Sequence, residues 1–296
     1  MVCVNVAEVK YFTHITHVTG RIADIYQKRM PMTKRQKVWD VMFPLVFILL
    51  CMAAATIVLL LIAGLLTGEY DPNLIYERVR TLPMWISITT YSFTIVMQRQ
   101  NYKVDSMRFP MAQGGWKPWR AAVACLFVTF AGHLWSTVIT KSGLESIFTG
   151  YTRNAAAAFE NQNLLLLVIG TVILGPIAEE MIFRGMLYRR AEYYTGRWMG
   201  ALICALCFGI YHGNVIQFLY AFLLGFLLVW VYRKSGDLRV AVAAHMCVNA
   251  WAIFGDRIYS MLSGGKVPVF CYVAETVAAA VCFVLVRLPD KSLNSH

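Results

Sequence analysis

From residue 41 onward, apolar runs of roughly 20 residues alternate with short polar and basic stretches. Coiled as a helix at about 1.5 Å per residue, such a run crosses ~30 Å of hydrocarbon. Eight crossings are predicted, over 42–66, 82–98, 119–139, 163–187, 198–212, 215–232, 239–255 and 267–286. The 82–98 and 198–212 runs are short, and the second can be lengthened only through His212, Gly213 and Asn214. The fold expected is all-α, a polytopic transmembrane helix bundle of about eight spans. Before it, residues 1–40 form an N-terminal arm in which Tyr11, Phe12, Ile15, Val18 and Ile22 recur at helical spacing, as in a helix lying on a membrane surface. The first apolar run follows forty polar and basic residues, so it is expected to remain as an anchor and not to be cleaved as a signal peptide.

Composition sharpens this reading. With 58% hydrophobic residues and a mean hydropathy of +0.57, the chain cannot hide its apolar surface in a water-soluble fold. The net charge of +11 does not point to nucleic acid, because the Lys and Arg residues sit in small clusters between apolar runs. With eight spans and a cytoplasmic N-terminus, one side of the membrane receives 20 Lys and Arg residues and the other 6, with Arg184 inside a span. That bias is the one the positive-inside rule demands, and it places both termini in the cytoplasm. Trp116 and Trp119, set among the basic residues of 98–120, are expected to anchor the interface. The eight cysteines are scattered, and Cys204 with Cys207 reads as helix packing rather than a redox pair.

Ionisable groups in hydrocarbon are costly and usually pair, line a wet cavity or work. Glu180 and Arg184 are four residues apart, share a helix face and can pair. Glu179 points about 100° away and has no partner on its own helix. His212 follows Phe208 by four residues, and taken alone it reads as an interhelical hydrogen bonder. His245 and Asn249 lie on one stripe of the seventh span, where they can either bond a neighbouring helix or direct N–H groups at a developing oxyanion. Measured from the basic residue ending each run, Glu179 lies about 15 Å deep, His212 about 22 Å and His245 to Asn249 about 9–15 Å, close enough to share one cavity after tilting. His133 and Glu275 stand apart from this set and are expected to be a hydrogen bonder and a buried paired or protonated acid.

Glu-Glu-x-x-x-Arg, then Phe-x-x-x-His, then His-x-x-x-Asn, in that order on separate apolar helices, resembles the CPBP family of CAAX prenyl endopeptidases and bacteriocin-processing enzymes. The likeness covers approximately Leu164–Asp256. It implies a division into the arm 1–40, three spans with their loops over 41–160, a catalytic core over 161–256, and a last span and tail over 257–296. It also implies an intramembrane endopeptidase acting on a peptide or membrane-tethered protein. Glu179 would then be the general base, sharing a water with His212, while His245 and Asn249 stabilise the oxyanion and Glu180 with Arg184 braces the helix. Zinc on Glu179, His212 and His245 is the alternative. The absence of H-E-x-x-H, and Asn249 as a poor zinc ligand, favour a mechanism with no cofactor. The compactness of the chain favours a bacterial plasma membrane over the endoplasmic reticulum. A non-catalytic immunity or scaffold protein of the same fold and a proton-coupled carrier are the rival classes, the latter weakened by the lack of an inverted repeat.

Overall fold

The computed structural model describes residues 32–111, 114, 116–148, 163–264 and 269–288, and among them there is no strand. The amphipathic stretch around residues 9–26 lies outside the described residues. The helices are α1 (Lys34–Thr67), α2 (Pro72–Arg78), α3 (Leu82–Arg108), α4 (Pro118–Lys141), α5 (Leu164–Thr195), α6 (Arg197–Tyr211), α7 (Val215–Ser235), α8 (Leu238–Ser263) and α9 (Val269–Arg287), with a single turn at Leu144–Ile147.

Five of the helices begin where a side chain satisfies the first free N–H groups. Thr33 and Gln36 form a reciprocal cap on α1, and Asp71, Asn163, Asn214 and Asp237 cap α2, α5, α7 and α8 through their side chains. The turn between α6 and α7 needs a left-handed backbone at residue 213 (φ +73°), and glycine supplies it. Of the eight long helices, α1, α4, α5, α7, α8 and α9 are long and apolar enough to cross a membrane. The other two coincide with the two short predicted runs: α3 carries a polar second half around Gln98, Asn101 and Asp105, and α6 has only 15 residues.

Burial runs opposite to that of a protein in water. Leu50, Ile57, Leu61, Leu65 and Leu66 of α1 are exposed, whereas Glu179, Glu180, Arg184, His245 and Glu275 are buried. Hydrocarbon outside and polar groups inside is the arrangement a bilayer solvent selects, and the protein is an integral membrane helix bundle. Helix α5 runs through the centre, packed on α1, α3, α6 and α8, and Phe183 through Tyr188 of its middle are almost wholly buried. At one end, Arg190 of α5 pairs with Asp105 of α3 at 2.6 Å and donates to the Asp40 carbonyl of α1. Helices α6 and α7 approach closely at Gly225, where an added Cβ would lie 2.9 Å from Ala205 Cα. Trp116 packs edge-on against Trp230 of α7, while Trp119 stays partly exposed beside Arg120.

Candidate functional site

The site is built on a local irregularity of α5. Residues Val168–Leu174 and Phe183–Tyr188 form wide π-helical turns on either side of the regular segment Gly175–Ile182 that carries Glu179 and Glu180. In the first wide turn the Gly175 N–H donates to the Gly170 carbonyl, five residues back. The next carbonyl, that of Thr171, would need the N–H of residue 176, and Pro176 has none. Asn249 of α8 takes its place, donating Nδ2–H to the Thr171 carbonyl at 2.9 Å. A buried carbonyl left without a donor would cost free energy, so this bond also docks α8 onto α5.

Further along α5, Glu180 and Arg184 form the expected i,i+4 pair at 2.7 Å, with both side chains fully buried. The guanidinium also donates to the Gly225 carbonyl of α7 at 3.2 Å and lies 4.4 Å over the Phe208 ring of α6. Arg184 thus ties three helices together. Glu180 has a second partner that its spacing did not announce: His245 Nδ1 sits 2.9 Å from the same oxygen, Oε1. A carboxylate on Nδ1 fixes the orientation of the imidazole, and Nε2 is turned toward Glu179, 3.8 Å from Oε2. The other oxygen of Glu179, Oε1, accepts a hydrogen bond from Tyr91 of α3 at 2.9 Å.

His212 ends α6 and joins this group through aromatic packing. Phe208 stands between the two histidines, with ring centroids 5.1 Å from His212 and 5.7 Å from His245, both edge-on. The structure therefore brings Glu179, Glu180, Arg184 and His245 into direct contact, sets His212 across Phe208 from His245, and holds Asn249 one turn along α8 from His245. Among the described residues, no three His, Cys, Asp or Glu side chains are arranged to hold a metal ion. The zinc set of Glu179, His212 and His245 does not converge on a common point here, and no step below is routed through a metal.

Tyr91 was missed by the sequence reading. It lies 88 residues before Glu179 in a helix with no motif, and only the folded arrangement joins them. His133 and Glu275 form a separate, partly buried cluster, as their isolation in sequence suggested. Glu275 Oε2 lies 2.9 Å from His133 Nδ1, and Oε1 accepts from Trp251 at 3.0 Å and Tyr259 at 2.7 Å.

Comparison with known proteins points to the same segment. The family profile for type II CAAX prenyl endopeptidase Rce1-like proteins matches residues 161–251. YdiL of Bacillus subtilis (strain 168), provisionally named a membrane peptidase, is 29% identical over 92 residues, covering 31% of this chain and 38% of the relative. An uncharacterized 24.3 kDa protein of Escherichia coli is 33% identical over 89 residues, covering 28% of this chain and 41% of the relative. In both cases less than half of the relative's length is matched. No solved structure matches the chain.

Proposed function

We propose that the chain, whose residues 161–251 match the type II CAAX prenyl endopeptidase Rce1-like profile, hydrolyses a peptide bond in a membrane-associated peptide or protein by a glutamate-activated water. One observation carries this reading. The buried Glu179 carboxylate has one oxygen held by Tyr91 and the other 3.8 Å from His245 Nε2, while the far nitrogen of that imidazole is fixed by Glu180. A helix-stabilising pair would need only Glu180 and Arg184; the second carboxylate, oriented but not neutralised by its own helix, is the group suited to chemistry.

In the proposed reaction Glu179 and His212 hold the water between them, and Glu179 takes its proton as the oxygen attacks the scissile carbonyl. Charge develops on the carbonyl oxygen, where His245 and the second N–H of Asn249 stabilise it. The first N–H of Asn249 stays on Thr171, which keeps the amide in place throughout. Glu179 then returns the proton to the leaving amine. Glu180 and Arg184 act by fixing α5 and the His245 ring, and Phe208 keeps the two histidines apart. Substrates of the prenylated CAAX type fit the family, and so do leader or bacteriocin-like peptides.

The test compares the peptides of membranes producing the parent chain with those of membranes producing Glu179→Ala or His212→Ala at equal abundance. The expected result is one or more junctions cut only by the parent, with loss of at least a hundredfold in either variant. Equal cleavage by purified Glu179→Ala sinks the mechanism. If Glu179→Ala gave full protection in an immunity assay, a binding role would replace the enzymatic one.

A further inference from the structure

We infer that Tyr91, from a helix outside the matched core, is a positioning residue for Glu179; this rests on the glutamate reading above and extends it. Two independent features of the fold converge on it. The first is the hydrogen bond itself: the Tyr91 hydroxyl donates to Glu179 Oε1 at 2.9 Å, leaving Oε2 as the oxygen that faces His245. The second is a hollow made to receive the ring. Gly175 lies one turn before Glu179 on α5, and a Cβ there would meet the Gly170 carbonyl of its own wide turn at 3.1 Å, Tyr91 Cε2 at 3.3 Å and Cζ at 3.6 Å. One turn away on the same face of α3, Ile88 fills the matching hollow at Gly170, where a Cβ would lie 3.4 Å from Ile88 Cγ1. The two glycines let α3 settle closely on the wide turn of α5, and the depth of that seat sets where the hydroxyl ends.

The chemical consequence follows from the geometry of a carboxylate. A glutamate side chain has three rotatable bonds, and the terminal torsion is broad. With Oε1 tethered, that torsion is held and Oε2 keeps its direction relative to His245 and the attacking water. Without the tether the carboxylate can rotate, and displacing a reacting atom by about 1 Å costs on the order of a hundredfold in rate. Tyr91 touches no reacting atom in this scheme and acts through Glu179. Its loss should therefore lower turnover without weakening substrate binding.

The experiment uses the full-length protein in phosphatidylethanolamine–phosphatidylglycerol vesicles. The probe is an internally quenched synthetic peptide built from the cleavage junction that the membrane peptidomics identifies. Tyr91→Phe keeps the ring in its hollow and removes only the hydroxyl. Its kcat should fall about ten- to a hundredfold, with KM within about twofold of the parent and an unfolding temperature at most about 5 °C lower, the cost of one buried oxygen left without its donor. Parental kcat in Tyr91→Phe overturns the inference. So does a loss in which KM rises severalfold while the unfolding temperature falls by more than about 5 °C, since the two together mark general packing damage. Glu179→Ala is assayed alongside: if it cleaves, the glutamate reading itself has failed, and if it is inactive while Tyr91→Phe is fully active, only the positioning role has.

Discussion

Removing Arg184 tests how the core of the site is held together. The side chain is fully buried, pairs with Glu180 at 2.7 Å, donates to the Gly225 carbonyl at 3.2 Å and covers the Phe208 ring at 4.4 Å. Arg184→Ala strips all three contacts and leaves a carboxylate inside the bundle with His245 as its remaining partner. Breaking a buried ion pair from one side costs about 3–5 kcal/mol. For a chain of this size that corresponds to a fall in unfolding temperature of about 5–8 °C, read by intrinsic tryptophan fluorescence in a mild detergent. The double variant Glu180→Leu with Arg184→Met separates charge from shape. It removes both ions, and Glu180 Oε2 and Arg184 Nε, neither of which has a hydrogen-bond partner, cease to be buried liabilities. What then remains unsatisfied is chiefly His245 Nδ1, at about 1–3 kcal/mol. The double variant should therefore be more stable than Arg184→Ala, yet inactive, because the imidazole has lost the carboxylate that orients it. An unfolding temperature for Arg184→Ala within about 2 °C of the parent, or a double variant less stable than the single one, would refute this account of the pair.

Other perturbations should leave distinct signatures. Glu275→Leu removes the carboxylate that His133, Trp251 and Tyr259 share, so it should lower stability by about 1–3 kcal/mol in thermal unfolding while the cleavage junction stays the same. Asp237 caps α8 by accepting the Arg239 N–H at 2.9 Å, and Asp237→Ala should cost about 1 kcal/mol of stability at neutral pH. The hydrogen bond from the Arg239 side chain lowers the Asp237 carboxyl below its ordinary value of 3.8. A lowered folded-state value means the cap is fully effective above that ordinary value and fades as pH falls through the depressed one, so parent and Asp237→Ala should converge only in acid below it. Treating the purified enzyme with a chelator should leave cleavage intact, and added zinc should not raise it; loss restored by zinc would revive the metal reading.

The sequence made the chemistry-bearing residues legible because their periodicity is local. Glu180 and Arg184 had to share a face at i,i+4, and His245 and Asn249 likewise, so each pair could be read from one helix alone. The isolation of His133 and Glu275 was legible for the same reason, although their mutual contact across 142 residues was not. Span positions followed from apolar length, and the two runs marked as short, 82–98 and 198–212, are those whose helices fall outside the six with membrane-crossing length and apolarity.

What periodicity could not supply was the pairing between helices, and here small residues decide. Without water to drive apolar faces together, helices in a bilayer pack where glycine lets backbones approach. Gly225 brings α7 against Ala205 and places its own carbonyl within reach of Arg184. Gly175 admits Tyr91, and Pro176 frees the Thr171 carbonyl that Asn249 then takes. In the sequence, Gly175-Pro176 reads only as an interruption of an apolar run. In the fold it explains two docking events, α3 within about one turn of Glu179 and α8 about two turns before it. A motif of charged residues thus reports which groups could react, while the glycine and proline just before it determine which helices hold them in position.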